Sequence, residues 1–526
     1  MHHAEPVVLL FILVAGLVIV ANKLSVPYPV LLVLGGLALS FVPFLPVIRL
    51  DPNLVLFFFL PPLLYPAALF TSWRDFRRNL RPILFLAIGL VLLTMTVVAW
   101  VAHSFIAGLP WAAAFALGAI VSPPDAVAAE AILKRLRVPA RIQAVLGGES
   151  LVNDATALVA YQFAVAAMVT GQFSLGEASF RFALVGAGGV ALGLLVGVVM
   201  RWVQRQLDDP PVQITISLLT PFAAYLLAER LYVSGVLATV AAGVYLGWHS
   251  TALSARTRLQ AQAFWEMVAF LLNGFIFIMI GLQLPGILRN LSHEPLSRLT
   301  IYALIISATV VLVRIAWVFP ATYLPRWLSP KMRARDPVPP WQHSVLIAWA
   351  GMRGVVSLAA AFALPLVLGD GQPFPGRNYI LFLTFCVILT TLVFQGLTLP
   401  FLIRKLGVED DGIVNREERH ARLQANEAAV DFIEQKALEE HLPEEVMVRV
   451  RAEYCDRIEQ LHASCQASGN PGGVITTPLY QRLQHGALQI ERQTIISLRD
   501  SQQINDEALR HIQRDLDLAE ARLTGG

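Results

Sequence analysis

The chain has 526 residues, 56% of them hydrophobic and 15% charged, with a mean hydropathy of +0.61. A soluble protein of this size carries about 25% charged residues, so a chain that is soluble throughout is excluded. The charge is also unevenly placed: residues 409–526 hold 13 Lys+Arg against 22 Asp+Glu, whereas residues 1–408 hold 27 against 15. The expected organisation is a basic transmembrane domain, 1–408, followed by an acidic helical tail, 409–526.

About 20 apolar residues cross a bilayer. Along the chain there are thirteen candidate spans: 7–22, 29–46, 53–70, 82–107, 111–133, 142–169, 180–203, 212–229, 232–249, 262–284, 297–323, 341–367 and 377–402. The first lacks a basic leader and a small-residue cleavage site, so it reads as a retained span rather than a signal peptide. The second and third are short and proline-rich (Pro43, Pro46, Pro61, Pro62, Pro66). An odd count with the tail in the cytoplasm puts the N-terminus outside. The segments between spans then carry 19 basic residues inside and six outside, as the positive-inside rule requires.

Two spans are interrupted. The fifth breaks at Ser122-Pro123-Pro124-Asp125, because each proline lacks an N–H donor and clashes with the preceding turn. The twelfth breaks at Ala350-Gly351-Met352-Arg353-Gly354. If runs 7–169 and 212–402 are two halves linked by 180–203, each break falls in the fifth helix of its half, and the halves are inverted. Matched interruptions in inverted halves mark a transporter's binding site, although glycine and proline are also common in ordinary membrane helices.

Ionisable groups at membrane depth are costly and are functional candidates. Asn153 and Asp154 lie mid-span in the sixth run, with Ser150 one helical turn before Asp154. Ser122, Pro124 and Asp125 come from the first break. Carboxylate, amide, hydroxyl and freed backbone oxygens are the hard ligands that a small cation selects; a structural hydrogen-bonded cluster is the alternative. Glu149, five residues before Asp154, points about 140° away. Its natural partner is Arg314, embedded in an apolar run, as an ion pair or else as a gate. Arg353 is the buried charge of the second break. His103 reads as packed, Glu130 and Glu266 as reaching water near helix ends. Gly186, Gly188, Gly189, Gly193 and Gly197 form a small-residue face for close helix packing. Three cysteines (Cys386, Cys455, Cys465) give neither a disulfide framework nor metal spacing. No nucleotide-binding loop is present, which argues against ATP-driven transport.

At SPPDAVAAEAILK, GGESLVNDATALV and AWAGMRGVVSLAAA the chain resembles the bacterial sodium/proton antiporters of the monovalent cation:proton antiporter family, to which animal sodium/proton exchangers also belong. The likeness covers about residues 5–405. It implies an all-α polytopic fold with inverted repeats and two crossed broken helices, a homodimer in the bacterial plasma membrane, and alternating access. It further implies that Na+ (or another monovalent cation) and H+ compete at Asp154, beside Asn153. Asp125, Ser150, Ser122 and the backbone around Pro124 would be supporting ligands, Glu149–Arg314 a stabilising pair, and Arg353 the charge at the helix break. Many relatives have threonine where Pro124 stands, which leaves the preferred ion open. No resident cofactor, nucleotide or nucleic acid is expected.

The tail reads as helices over 415–441, 443–467 and 478–524, with a stripe of Leu509, Ile512, Leu516, Ala519 and Leu523 that would close the tail on itself or pair two tails. Cation/proton antiport is the leading function. K+/H+ exchange, an organic-anion symporter of similar architecture and an ion sensor are the alternatives. A membrane enzyme lacks a nucleophile–base pair or metal-ligand spacing.

Overall fold

The structure is a computed structural model describing residues 4–24, 26–41, 54–136, 138–171, 174–250, 253–291, 293–368, 371–440, 443–467, 476–501, 512–513 and 516–520. The chain divides into two compact units, residues 1–411 and 412–526. Among the described residues the regular structure is helical, apart from an isolated antiparallel bridge between Val367 and Pro373.

The first unit opens with α1 (Ala4–Leu24) and α2 (Tyr28–Leu39). A π-turn over Leu54–Phe59 precedes α3 (Leu60–Leu69), followed by the short α4 (Trp73–Arg78) and α5 (Leu80–Leu84). A second π-turn, Phe85–Leu90, leads into α6 (Val91–Phe105). Next come α7 (Trp111–Val121), α8 (Ala126–Arg135), α9 (Ala140–Thr170), α10 (Leu175–Arg205), α11 (Pro210–Arg230) and α12 (Gly235–Trp248). Then follow α13 (Ala255–Leu282), α14 (Leu284–Arg289), α15 (Leu296–Leu328), α16 (Pro330–Arg335), α17 (Trp341–Trp349) and α18 (Val355–Phe362). The unit closes with α19 (Arg377–Thr390), a π-turn at Thr391–Gln395 and α20 (Gly396–Leu406).

Among the described residues, seven helices are long and apolar enough to cross a membrane: Leu80–Phe105, Ala140–Thr170, Gly176–Arg205, Pro210–Arg230, Ala255–Arg289, Leu296–Leu328 and Arg377–Leu406. Shorter apolar helices lie at Leu10–Leu24, Tyr28–Leu39, Leu56–Leu69, Trp111–Val121 and Gly235–Trp248. The chain is therefore a multi-pass, all-helical membrane protein. Several helices run past their expected ends, α13 and α15 among them. Ser254 accepts from the Thr257 N–H at 3.1 Å, a cap that starts α13 seven residues ahead of its apolar run. Likewise α15 continues through Pro320 and Pro325. The predicted ends of the second and third spans, 42–53, lie outside the described residues.

Without a hydrophobic force between helices in lipid, close packing through small residues holds such bundles together. A Cβ at Gly36 would fall on the Ile278 carbonyl and one at Gly281 on the Val33 carbonyl, so the backbones of α2 and α13 touch. The glycine face of α10 packs on α12 in the same way, with Gly193 against the Ala238 carbonyl and Gly189 against that of Ser234.

In the second unit α21 (Ile413–Glu440) and α22 (Glu444–Ala467) pair, with Arg451 and Glu434 bridged at 3.1 Å. The third helix expected over 478–524 is not continuous: α23 (Thr476–Asp500) ends in a turn at Ser501. A separate helical piece at 516–520 returns to it, with Leu516 packed on Ile495 and Arg492 bridging Asp517 at 2.5 Å and Glu520 at 2.8 Å. Of the predicted stripe, Leu509 and Leu523 lie outside the described residues.

Candidate cation and proton site at two helix breaks

Helix α7 ends at Val121, with Ser122 as its C-cap, because Pro123 and Pro124 that follow have no N–H to continue the helix. Helix α8 restarts with Asp125 as its N-cap: one carboxylate oxygen accepts the Val127 N–H at 2.9 Å, the usual role of aspartate there. The second interruption separates α17 from α18, and the two breaks meet. The Asp125 N–H donates to the Met352 carbonyl at 2.7 Å. Gly354 lies so close that a Cβ there would fall on the Asp125 carboxylate.

Arg353 is fully buried and holds the junction. Its Nε donates to the Val121 carbonyl at 3.1 Å, its Nη2 to that of Ser122 at 3.3 Å, and its Nη1 to that of Gly351. A cation thus sits on the carbonyls that end α7, where the helix dipole is negative. The Arg353 N–H donates to Thr391 Oγ1 at 3.1 Å, tying in the third π-turn. Thr391 is not conspicuous in the sequence. Its only signal is a hydroxyl pair, Thr390-Thr391, inside an apolar run; π-turns are themselves often found at functional sites.

Helix α9 supplies Glu149, Ser150, Asn153 and Asp154. Asn153 is fully buried; its Nδ2 donates to the Pro124 carbonyl at 2.8 Å, while its Oδ1 has no partner among the described residues. Asp154 is buried too, and no hydrogen bond reaches its carboxylate from a described residue. Ser150 is half-buried on the same helix. Ser122 donates its hydroxyl back to Ala119 at 2.9 Å. The candidate oxygens therefore sort into two groups. The Ser122 and Pro124 carbonyls are already engaged by Arg353 and Asn153. The carboxylate of Asp154, the second oxygen of Asp125 and Asn153 Oδ1 carry no such partner among the described residues.

Glu149 and Arg314 meet through two parallel bonds, Nη1–Oε1 at 2.5 Å and Nη2–Oε2 at 2.8 Å, both side chains wholly buried. Arg314 also donates from Nε and Nη2 to the Ile347 carbonyl at 3.1 and 3.0 Å. One guanidinium thereby joins α9, α15 and α17. Gly351 is needed beside it, since a Cβ there would fall on the Arg314 side chain.

Other singled-out residues stand apart. His103 Nδ1 lies 2.7 Å from the Leu109 carbonyl, its ring stacked on Trp111. Glu266 accepts from Gln262 at 3.0 Å. Among the described residues no group of three or more His, Cys, Asp or Glu side chains is placed to hold a metal ion.

Residues 9–405 match the family model described as sodium/hydrogen exchanger, transmembrane. An uncharacterized Na+/H+ exchanger of Mycobacterium bovis is 37% identical over 98% of this chain and 96% of its own length. One from Escherichia coli is 34% identical over 98% and 97%. The sodium, potassium, lithium and rubidium/H+ antiporter of Bacillus subtilis is 37% identical over 75% of this chain and 61% of its own. Among solved structures, the sodium proton antiporter MjNhaP1 of Methanocaldococcus jannaschii superposes with a TM-score of 0.62, covering 77% of this chain and 99% of that one at 20% identity, a likeness of fold. The chain belongs to the sodium/hydrogen exchanger family of cation/proton antiporters, and it is a transporter, not an enzyme.

Proposed function

We propose that the protein exchanges Na+ for H+ one-for-one, with both ions competing for the Asp154 carboxylate. The observation that carries this reading is a buried carboxylate without a hydrogen-bond donor among the described residues, next to the equally unpartnered Asn153 Oδ1. An ionised carboxylate in that setting is costly unless something compensates it. A proton or a bound cation does so, and one site cannot hold both. Asp125 and Ser150 complete the cation's oxygen shell, and the Ser122 and Pro124 carbonyls, each already accepting one hydrogen bond from Arg353 or Asn153, border it with their remaining lone pairs. Arg353 keeps the two breaks in register, and Glu149–Arg314 fixes α9 in place.

The same reading takes the bundle as thirteen spans in two inverted halves, 7–169 and 212–402, linked by 180–203. The N-terminus lies outside and the acidic tail inside, in a bacterial plasma membrane. It takes the working unit as a homodimer and the tail, 409–526, as a regulatory element. The role in the cell is pH homeostasis and sodium tolerance. K+/H+ exchange is the second reading, supported by the potassium named among the cations of the Bacillus subtilis relative; Pro124 in place of a hydroxyl residue leaves the preferred ion open.

The test is proton flux in proteoliposomes under outward gradients of Na+, Li+ and K+, with choline as the inert control. Na+-driven proton uptake supports the first reading and K+-driven uptake the second. Flux no greater than with choline rejects exchange.

A further inference from the structure

Away from the helix breaks, a cavity of about 750 Å3 opens where α4 meets the end of α12, with Arg74, Arg77, Arg78, Trp73 and Trp248 among its lining. Arg74 stands three and four residues from the other two arginines, so the three share one helical face. All are exposed, and none has a hydrogen bond or ion pair among the described residues. Trp73 stacks on Trp248 with ring centroids 5.9 Å apart, and on Phe76 at the same distance. Trp248 remains 61% exposed, and the neighbouring Phe70 53%.

We propose that this cavity binds the phosphate headgroup of an anionic phospholipid from the cytoplasmic leaflet. Three unpaired guanidiniums are a strong phosphate-binding set, since each forms forked, charge-assisted bonds. Among the described residues, no acid lines the cavity. The exposed Trp248 ring in the lining distinguishes a lipid from free phosphate: it offers contact to glycerol and acyl chain, which a soluble anion leaves wet. Tryptophan is the residue of the bilayer interface, and basic pockets between helices on the cytoplasmic side take anionic headgroups. Placement in that leaflet rests on the orientation given under Proposed function.

The site is also connected to the transport machinery. Phe76 of α4 reaches Gly148 of α9, at 3.3 Å from where a Cβ would stand, one residue before the buried Glu149. A headgroup clamped on α4 therefore bears on the helix that carries Asp154.

The test titrates the detergent-purified full chain with phosphatidylglycerol, phosphatidylcholine or inorganic phosphate, following the thermal unfolding midpoint. Phosphatidylglycerol is expected to raise the midpoint saturably, whereas the other two are not. Each guanidinium lost should weaken it about fivefold, so R74Q/R77Q/R78Q should bind it on the order of 100-fold more weakly. The single variant R77Q, at an exposed position, and W248L, which keeps every charge, should each show a smaller loss. An unchanged lipid response in the triple variant overturns the proposal. So does an equal shift with inorganic phosphate, which would make this a site for a soluble anion. Binding is read without ion flux, so failure of the exchange reading leaves the result interpretable.

Discussion

The backbone N–H of Asp125 donates to the carbonyl of Met352 at 2.7 Å, so the break in one helix is completed by the break in another. The two residues lie 227 positions apart in the chain. Each interruption leaves backbone groups that lipid cannot satisfy, and here a donor freed by one is taken up by an acceptor freed by the other. The first expectation follows from how tight this junction is. Gly354→Ala places a methyl on the Asp125 carboxylate, and overpacking of that kind costs about 1–3 kcal/mol. Apparent cation affinity in vesicle flux should fall roughly in proportion, while surface expression is kept. Wild-type affinity in this variant would show that the junction opens freely.

Asp154→Asn should abolish exchange in protein that still inserts and folds, because an amide neither binds a proton at working pH nor neutralises a cation. In the parent protein, lowering pH should raise the apparent KM for the cation without lowering the maximal rate, as expected for two ions competing at one carboxylate. Asp125→Asn retains an oxygen for the α8 cap and should weaken cation affinity more than it alters the proton step. A pH-dependent flux surviving in Asp154→Asn removes the assignment.

Glu149→Ala and Arg314→Ala should each lower thermal stability sharply, since each strands the other's buried charge. Breaking a buried pair costs about 3–5 kcal/mol. Exchanging the two residues should recover part of the loss, because both side chains sit in one bidentate contact. Additive losses in the exchanged variant would show that the Ile347 carbonyl, not Glu149, is what Arg314 is there to hold.

Voltage provides a third measurement. The charged groups of the site are half-buried Asp125 and buried Glu149 and Asp154, against buried Arg314 and Arg353, a formal net of one negative charge. One cation or one proton neutralises it, so both loaded states carry the same charge. The amide of Asn153 cannot take a second proton. The exchange rate should therefore be indifferent to a potassium diffusion potential set with valinomycin, and exchange should generate no potential. A clear voltage dependence points to another titrating group, Asp125 first.

Deleting residues 412–526 should leave a membrane unit that inserts and exchanges ions, with an altered pH response or dimer stability. The tail is a separate compact unit and contributes none of the buried charges above. Loss of all flux in a well-inserted truncation would make the tail part of the transport cycle.

The sequence by itself determined what depends on local composition. Apolar length located the helices, double proline and paired glycine located both breaks, and ionisable residues in apolar runs singled out Asp125, Glu149, Asp154, Arg314 and Arg353. These signals are local because the cost of burying a charge or losing an N–H is borne at the residue itself. Caps and termini were less legible: the Ser254 cap and the passage of α15 through two prolines depend on neighbours that satisfy the backbone. The end of α23 at Asp500 is not legible in the sequence, because a continuous polar pattern does not reveal that Leu516 folds back onto Ile495. Only the tertiary structure decided which oxygens are taken. That Arg353 engages the Val121 and Ser122 carbonyls, Asn153 that of Pro124, and Thr391 the Arg353 N–H are facts of packing between distant segments. A hydrogen bond depends on position within tenths of an ångström, and no spacing along one chain carries that information across four helices.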